Sequence, residues 1–557
     1  MVTADRYAAP LNQSPPFEDV NLFTSDRALM EAAGREGAGH ATAWLTKVGA
    51  RAGSRETLEL GRLANENPPK LRLFDSKGHR LDRVDFHPAY HKLMAISAGE
   101  GLHCSVWSHL AHGGKPKPGR NVERAAAFYM AAQMEAGHCC PITMTSASLA
   151  MLRRAEGLHR LWLDRLTARD YDPAFTPVAA KRAATVGMGM TEKQGGTDVR
   201  TNATRAEPSG AGGPGGEYRL TGHKWFMSAP MSDAFLVLAQ APKGLSCFFM
   251  PRFVPDGTQN AILIQRLKDK LGNRSNASSE VEFVHAFAWM VGEEGRGIAT
   301  IIEMVTATRL DCAISSAGLM RWAMANALHH CAYRTVFQKR LIDQPLMRTV
   351  LADMALDQEA AVALVFRLAR AFDRAEEDEA EAVFSRLMTP AIKYWVCKVL
   401  PGFAYEAMEC LGGNGYVEDG PVARLFRESP INAIWEGSGN VMCLDVLRAA
   451  RKSPEDAAAF LEGLKAEAQG EPRLARAVDS LAQGFLSPDD LEANLRPLVE
   501  RLVLVVAATL LRAHAPAAVG DAFIASRLEG RFRSTYGNLQ GADTQAILER
   551  AMPFGIA

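Results

Sequence analysis

The stretch Glu217-Tyr218-Arg219-Leu220-Thr221-Gly222-His223-Lys224-Trp225-Phe226-Met227-Ser228 marks a change in the character of the chain. It is rich in residues that favour strands, and similar runs follow at 234–240 (AFLVLAQ), 245–253 (LSCFFMPRF) and 278–290 (SSEVEFVHAFAWM), separated by Gly, Pro and Asn. Between about Val186 and Gly292 this predicts a β unit of about six or seven strands. The Pro/Gly/Ser/Ala cluster from Pro208 to Gly216 is the clearest turn and joins two of them.

Outward from this unit the period is helical. From Asp26 to about Arg182 apolar residues recur at three- and four-residue spacing, as in 28–37 (ALMEAAGREG) and 122–137 (VERAAAFYMAAQMEAG). After Gly297 helical pattern returns over Thr306–Phe337, Pro345–Arg374 and Pro390–Leu411. Beyond Arg451 two helix starts stand out, Ser453-Pro454-Glu455-Asp456 and Ser487-Pro488-Asp489-Asp490, each with a serine cap, proline and first-turn acids. Segregated helix and strand runs predict an α+β fold. Its expected units are an N-terminal helical domain (1–185), a β-barrel or sandwich domain (186–292), a helical bundle (293–452) and a helical C-terminal extension (453–557).

With 557 residues the chain is large enough to bury a cofactor. Its 63 basic and 63 acidic residues balance, so nucleic acid or an anionic membrane would have to be recognised by a local patch. The nine cysteines include no C-x-x-C pair, which fits a reducing cytoplasm. The first twenty residues carry acids and prolines where an export signal would carry a basic start and an apolar run. Leu502–Leu511, flanked by Arg501 and Arg512, is about half the length of a membrane span and reads as a buried helix. No G-x-G-x-x-G follows a strand, and no G-x-x-x-x-G-K-[ST] or H-E-x-x-H occurs, which argues against a Rossmann site, a P-loop and a zinc protease. His87, His91, His329 and His330 read as surface or satisfied core groups, and no metal is expected.

Two further runs could carry chemistry. Ile434-Trp435-Glu436-Gly437-Ser438-Gly439-Asn440 sets a carboxylate beside an aromatic ring and flexible backbone, although it also suits a turn that caps a following helix. Met188-Gly189-Met190-Thr191-Glu192-Lys193-Gln194-Gly195-Gly196-Thr197-Asp198-Val199 offers N–H groups and hydroxyls to a ring with several acceptors, such as an isoalloxazine, or is a plain Gly-Gly turn.

Together with Gly222–Ser228, Arg334-Thr335-Val336-Phe337 and Leu411-Gly412-Gly413-Asn414-Gly415-Tyr416, these runs resemble the acyl-CoA dehydrogenase superfamily in order and spacing. Over nearly the whole chain the sequence is more similar to the subgroup of AidB alkylation-response flavoproteins. The carriers are 58–65 (LELGRLAN), 190–199 (MTEKQGGTDV), GHKWF, LSCFF, 266–278 (RLKDKLGNRSNAS), IWEGSGN and 442–448 (MCLDVLR).

The resemblance implies FAD bound between the β domain and the helices, and a homotetramer. It implies Glu436 as the base that takes the α-proton of an acyl-CoA thioester while the β-carbon loses hydride. The cofactor set it implies is Met188, Met190, Thr191, Gly196, Thr197, Phe226, Ser228, Arg334, Gly412, Gly413, Trp435, Gly437, Ser438 and Asn440, with Arg334 and Gly412-Gly413 reaching a neighbouring subunit's FAD. Phe226, Ser228, Trp435 and Ser438 depart from the broad family's residues. Glu409 stands where a glutamine is usual, Pro345 replaces another glutamine and Gln338 a glycine. These exchanges imply weak or narrow turnover, for instance of isovaleryl-CoA.

The subgroup also implies association of the C-terminal extension with double-stranded DNA, linked to alkylation protection. Arg448 and Arg533 are its implied contacts, within the clusters Arg448-Arg451-Lys452 and Arg527-Arg531-Arg533. From Val446 onward 13 basic residues face 14 acidic ones, so no net positive field supports it. An ordinary metabolic dehydrogenase without a DNA role is the alternative.

Overall fold

The computed structural model describes residues 11–112, 114–153, 160–486, 491–529, 536, 539 and 541–553. The β unit is a seven-stranded sheet: β3 (Val186–Gly189), β4 (Arg205–Pro208), β5 (Glu217–Ser228), β6 (Ala234–Ala241), β7 (Gly244–Pro251), β8 (Ile262–Leu267) and β9 (Ser278–Val291), after an N-terminal hairpin of β1 (Lys70–Phe74) and β2 (Arg80–Asp85). β5 pairs with β4 and β9, β6 with β4 and β7, and β7 with β9, so five strands close on themselves as a barrel. Closure leaves few free edges. One buried face carries Tyr218, Leu220, Phe235, Val237 and Phe248.

The β1–β2 hairpin interrupts the N-terminal stretch expected to be mostly helical. Its cause is local turn chemistry, since the Asp75 carboxylate accepts from the N–H groups of Lys77 (2.8 Å) and His79 (2.9 Å) and Gly78 takes φ +86°. The hairpin then docks on β8, with Arg80 donating to the Ile264 carbonyl and Ile264 N–H to Asp82.

Three long helices form the central bundle: Gly297–Tyr333, Pro345–Arg374 and Glu379–Cys410. The third starts before Pro390, where the sequence placed its beginning. Asp378 caps it by accepting from Ala380 and Glu381 N–H, with Glu379 and Glu381 in the first turn. Pro390 and Pro401 lie inside, where burial of the surrounding face compensates the missing backbone donors.

The extension contributes Pro454–Glu467, Pro472–Leu486, Leu495–His514 and Ala517–Phe523. Its first helix begins at Pro454 with Glu455 and Asp456, although Ser453 makes no side-chain cap bond. Leu502–Leu511 lies in the third, and the Ser487–Asp490 start falls outside the described residues. One apolar cluster runs from the N-terminal helices through the bundle to these helices, so the extension shares the main core.

The basic cluster at Arg527 needs correction. Arg527 is buried and does not offer its charge to a phosphate: its guanidinium meets Asp353 at 2.6 Å and Asp357 at 3.0 Å on the Pro345–Arg374 helix. Arg531, Phe532 and Arg533 fall outside the described residues. Among the described residues no helix is long and apolar enough to cross a membrane.

Candidate active site

Glu436 sits at φ +58° between Trp435 and Gly437, and Gly437 itself takes φ +115°. A non-glycine residue in this region is strained by about 1 kcal/mol, so neighbours must hold it there. Two cations do so through three consecutive carbonyls. Lys393 Nζ donates to Trp435 O (2.9 Å) and Gly437 O (2.5 Å), and Arg309 Nε donates to Glu436 O (2.9 Å). Arg309 is anchored in turn on Asp445 at 2.8 Å.

The Glu436 carboxylate accepts from the Thr308 hydroxyl at 2.7 Å. Burial raises its pKa, while the Thr308 bond, Lys393 and Arg309 pull it back down. A raised but partly compensated carboxyl suits a base working near neutral pH. Trp435 is fixed beside it, its indole N–H donating to Asn432 Oδ1 (2.8 Å), which is bonded through Nδ2 to Ser316 (3.0 Å).

Glu436 opens on a small cavity of about 30 Å³. Its polar lining includes Thr143, Asp311, Ser315, Asn273 and Glu428. Asp311 is fully partnered by both Nη atoms of Arg124 (2.6 and 2.7 Å) and by Thr143 (2.8 Å). Glu428 is not: it is buried, and burial pushes its carboxyl up to about 7, with Arg424 only 3.9 Å away to counter it.

The strand side of the site meets this loop. Met188, Met190 and Trp435 pack on one apolar cluster, and Met188 faces Ser228 across the β3–β5 ladder. Cys140, whose thiol burial pushes up to about 11, lines the same cavity as Glu436. Met227 points into the β core, whereas its neighbour Phe226 is half exposed with Lys268 Nζ 4.6 Å from its ring. Gly196 is pressed on Thr191, where a Cβ would lie 2.3 Å from the hydroxyl. Thr197 is exposed on the same turn.

This turn is clamped from below by a buried ion pair that the sequence reading passed over. Glu192 Oε1 accepts from Lys224 Nζ at 2.7 Å and from Thr204, and Oε2 accepts from Ala203 N–H and Gln194. The two charged residues stood inside motifs already quoted, yet nothing in linear spacing pairs positions 192 and 224.

Ser438 precedes the helix Gly439–Lys452 without a side-chain cap bond, so the first-turn N–H groups stay open to an anion. Asn440 Oδ1 is bonded to Arg496 at 2.8 Å. A separate group forms at the far helix ends. Arg334 donates to Asn12 O, Asn414 donates to Gln13, and Gly412 (φ +60°) and Gly413 have open space where a Cβ would stand. Among the described residues no hydrogen bond joins this group to the Glu436 loop.

Three family profiles match the chain in order: the N-terminal domain of the adaptive response protein AidB over residues 12–173, the acyl-CoA dehydrogenase middle domain over 187–286, and the acyl-CoA dehydrogenase C-terminal domain over 295–450. The putative acyl-CoA dehydrogenase AidB of Escherichia coli (strain K12) is 52% identical over 442 residues, which is 79% of this chain and 80% of that protein. The chain belongs to the acyl-CoA dehydrogenase family.

Within this family its similarity is to AidB-like members. Acyl-CoA dehydrogenase family member 11 of Caenorhabditis elegans is 33% identical over 427 residues, 72% of this chain and 66% of that one. The crystal structure of Caenorhabditis elegans ACDH-11 in complex with C11-CoA superposes with a TM-score of 0.83 at 27% identity, covering 98% of this chain and 93% of that chain. The protein is thus an acyl-CoA dehydrogenase-type oxidoreductase with FAD as its cofactor. The open helix start at Ser438, the half-exposed Phe226 and the Met188–Ser228 edge are compatible with so large a ring and its phosphates. Thr308, Arg309, Lys393 and Glu428 are site residues that sequence inspection missed: the first three lie in long helices whose apolar period hides single polar positions, and Glu428 ends the short helix Pro421–Glu428 outside any motif.

Proposed function

We propose that this dehydrogenase removes the α-proton of a short or branched acyl-CoA thioester with Glu436 as base, and that its turnover is narrow or weak. The observation that carries the reading is the Glu436 carboxylate held at positive φ by Lys393 and Arg309, with its pKa raised by burial. FAD, when bound, supplies the hydride acceptor for the β-carbon. Glu436 takes the proton, and its backbone N–H polarises the thioester carbonyl so that the α-proton becomes acidic. The fixed Trp435 indole and the apolar side chains Phe128, Met144 and Leu319 that line the cavity with it support an acyl chain beside Glu436. Isovaleryl-CoA is the first substrate to assay. Glu436→Gln should lower turnover about 100-fold or more with FAD retained; unaltered turnover would remove Glu436 as the base.

The cofactor roles of the Met188–Thr197 turn, Phe226, Ser228 and Gly437–Asn440 belong to the same proposal. So does a homotetramer, supported by the exposed apolar side chains Tyr333, Phe337, Leu346 and Tyr416 near Arg334 and Gly412-Gly413. Cytoplasmic residence is supported by nine free, buried cysteines.

Duplex DNA association is a second reading, supported by Arg448, whose side chain is 69% exposed while it donates to Asp445 at 2.7 Å. Arg448→Ala with Arg533→Ala should weaken duplex binding and flatten its salt dependence while FAD stays bound. The burial of Arg527 and the balanced charge of the extension favour the metabolic alternative, under which these variants bind DNA like the parent.

A further inference from the structure

The cavity beside Glu436 holds two buried acceptors without a donor. Glu428 Oε1 and Asn273 Oδ1 accept no hydrogen bond, the Arg424 Nε beside Glu428 standing at 3.9 Å, beyond bonding distance, although both side chains are almost wholly buried and line the same space. This sets them apart from Asp311 in that cavity, whose oxygens are all served by Arg124 and Thr143. The two come from different parts of the chain. Gly272 packs on the backbone of Arg427 and Glu428, where a Cβ would lie 2.3 Å from Arg427 O, so the β8–β9 loop and the residues ahead of the Glu436 loop are held together. Asn273 is itself fixed at φ +49°.

Buried polar atoms are ordinarily bonded, and an orphan acceptor costs folding free energy unless a ligand supplies the donor. A plain alkyl chain in this cavity would leave both acceptors unserved. We propose that Glu428 and Asn273 form an acceptor site for a hydrogen-bond donor, a hydroxyl or an amine, carried on the acyl chain of the thioester. The proposal rests on the reading that this cavity receives the acyl group. It makes Glu428 and Asn273 residues that set substrate specificity, since a site built to bond a polar group discriminates strongly against the analogue that lacks it.

The test uses the full-length, FAD-loaded protein and two thioesters of matched size, 4-hydroxybutyryl-CoA and pentanoyl-CoA. Binding is measured by calorimetry in a Glu436→Gln background, so that turnover does not intrude. The hydroxylated chain should bind at least about tenfold more tightly. That preference should vanish in Glu428→Leu and shrink in Asn273→Ala, with FAD content and oligomer size reporting intact folding. Equal binding of the two chains, no binding of either, or a preference that survives both substitutions would overturn the acceptor site. An ordered water serving both acceptors would produce the first of these outcomes. A clear preference in binding with no turnover by the parent would sink Glu436 as base and leave the acceptor site standing. Turnover with equal binding would do the reverse.

Discussion

At the residue scale the chemistry depends on how Glu436 is held. Its pKa is raised by burial and restrained by Thr308, Lys393 and Arg309. The base acts only as carboxylate, so kcat/KM should fall on the acid side, with a midpoint above that of an ordinary glutamate. Thr308→Val removes one restraint, and the acid limb of the pH–rate curve should then move to higher pH; a limb that stays in place would show that the hydroxyl does not tune the base. Glu428 makes a separate prediction for stability. Its folded pKa of about 7 exceeds the ordinary 4.5, so the folded protein binds the proton more tightly. The contribution of this group is fully present below about pH 4.5 and is lost as the pH rises to about 7, amounting to about 3 kcal/mol. Glu428→Gln should therefore gain stability relative to the parent between pH 5 and 7, measured as a widening difference in Tm at fixed FAD and protein concentration.

At the element scale the turn after β3 is set by one buried ion pair. Glu192 and Lys224 are fully buried, and Lys224 also donates to Leu238 O at 2.7 Å, tying the turn to β5 and β6. Removing one partner strands a charge, which costs about 3–5 kcal/mol. Lys224→Met should lower Tm and reduce the FAD content of the purified protein together. A loss of stability with full FAD occupancy would mean that the turn does not hold the cofactor. The N-terminal hairpin, inside a stretch whose period is otherwise helical, rests on the Asp75–Gly78 turn, and its first strand is only five residues long, too short to impose a period of its own.

At the scale of the whole molecule the extension is bound by charge as well as by apolar contact. Arg527 faces both Asp353 and Asp357 inside the protein, and Tyr536 donates to Asp357 at 3.0 Å. Arg527→Met removes the cation from two buried carboxylates and should cost about 3–5 kcal/mol. The expected result is a lower Tm and faster proteolysis of the last hundred or so residues. Were Arg527 instead a surface phosphate contact, the variant would keep its Tm and lose only affinity for DNA.

The sequence by itself determined the order of helix, strand and helix, because periods of 3.6 and 2 are local properties of the chain. It also determined the family, since the runs at 188–199, 222–228, 334–337, 411–416 and 434–440 keep their order whatever the fold does with them. The domain limits and the roles of the individual site residues stay proposals drawn from that likeness. Only the tertiary structure decided which charges are paired. Glu192 with Lys224, Arg527 with Asp353, and Lys393 with the carbonyls flanking Glu436 are separated by 32, 174 and about 43 residues, and no linear pattern links positions so far apart. The same holds for Glu428 and Asn273, whose want of a donor is a property of the closed cavity and not of either segment. Burial makes such pairings strong, and burial is decided by packing.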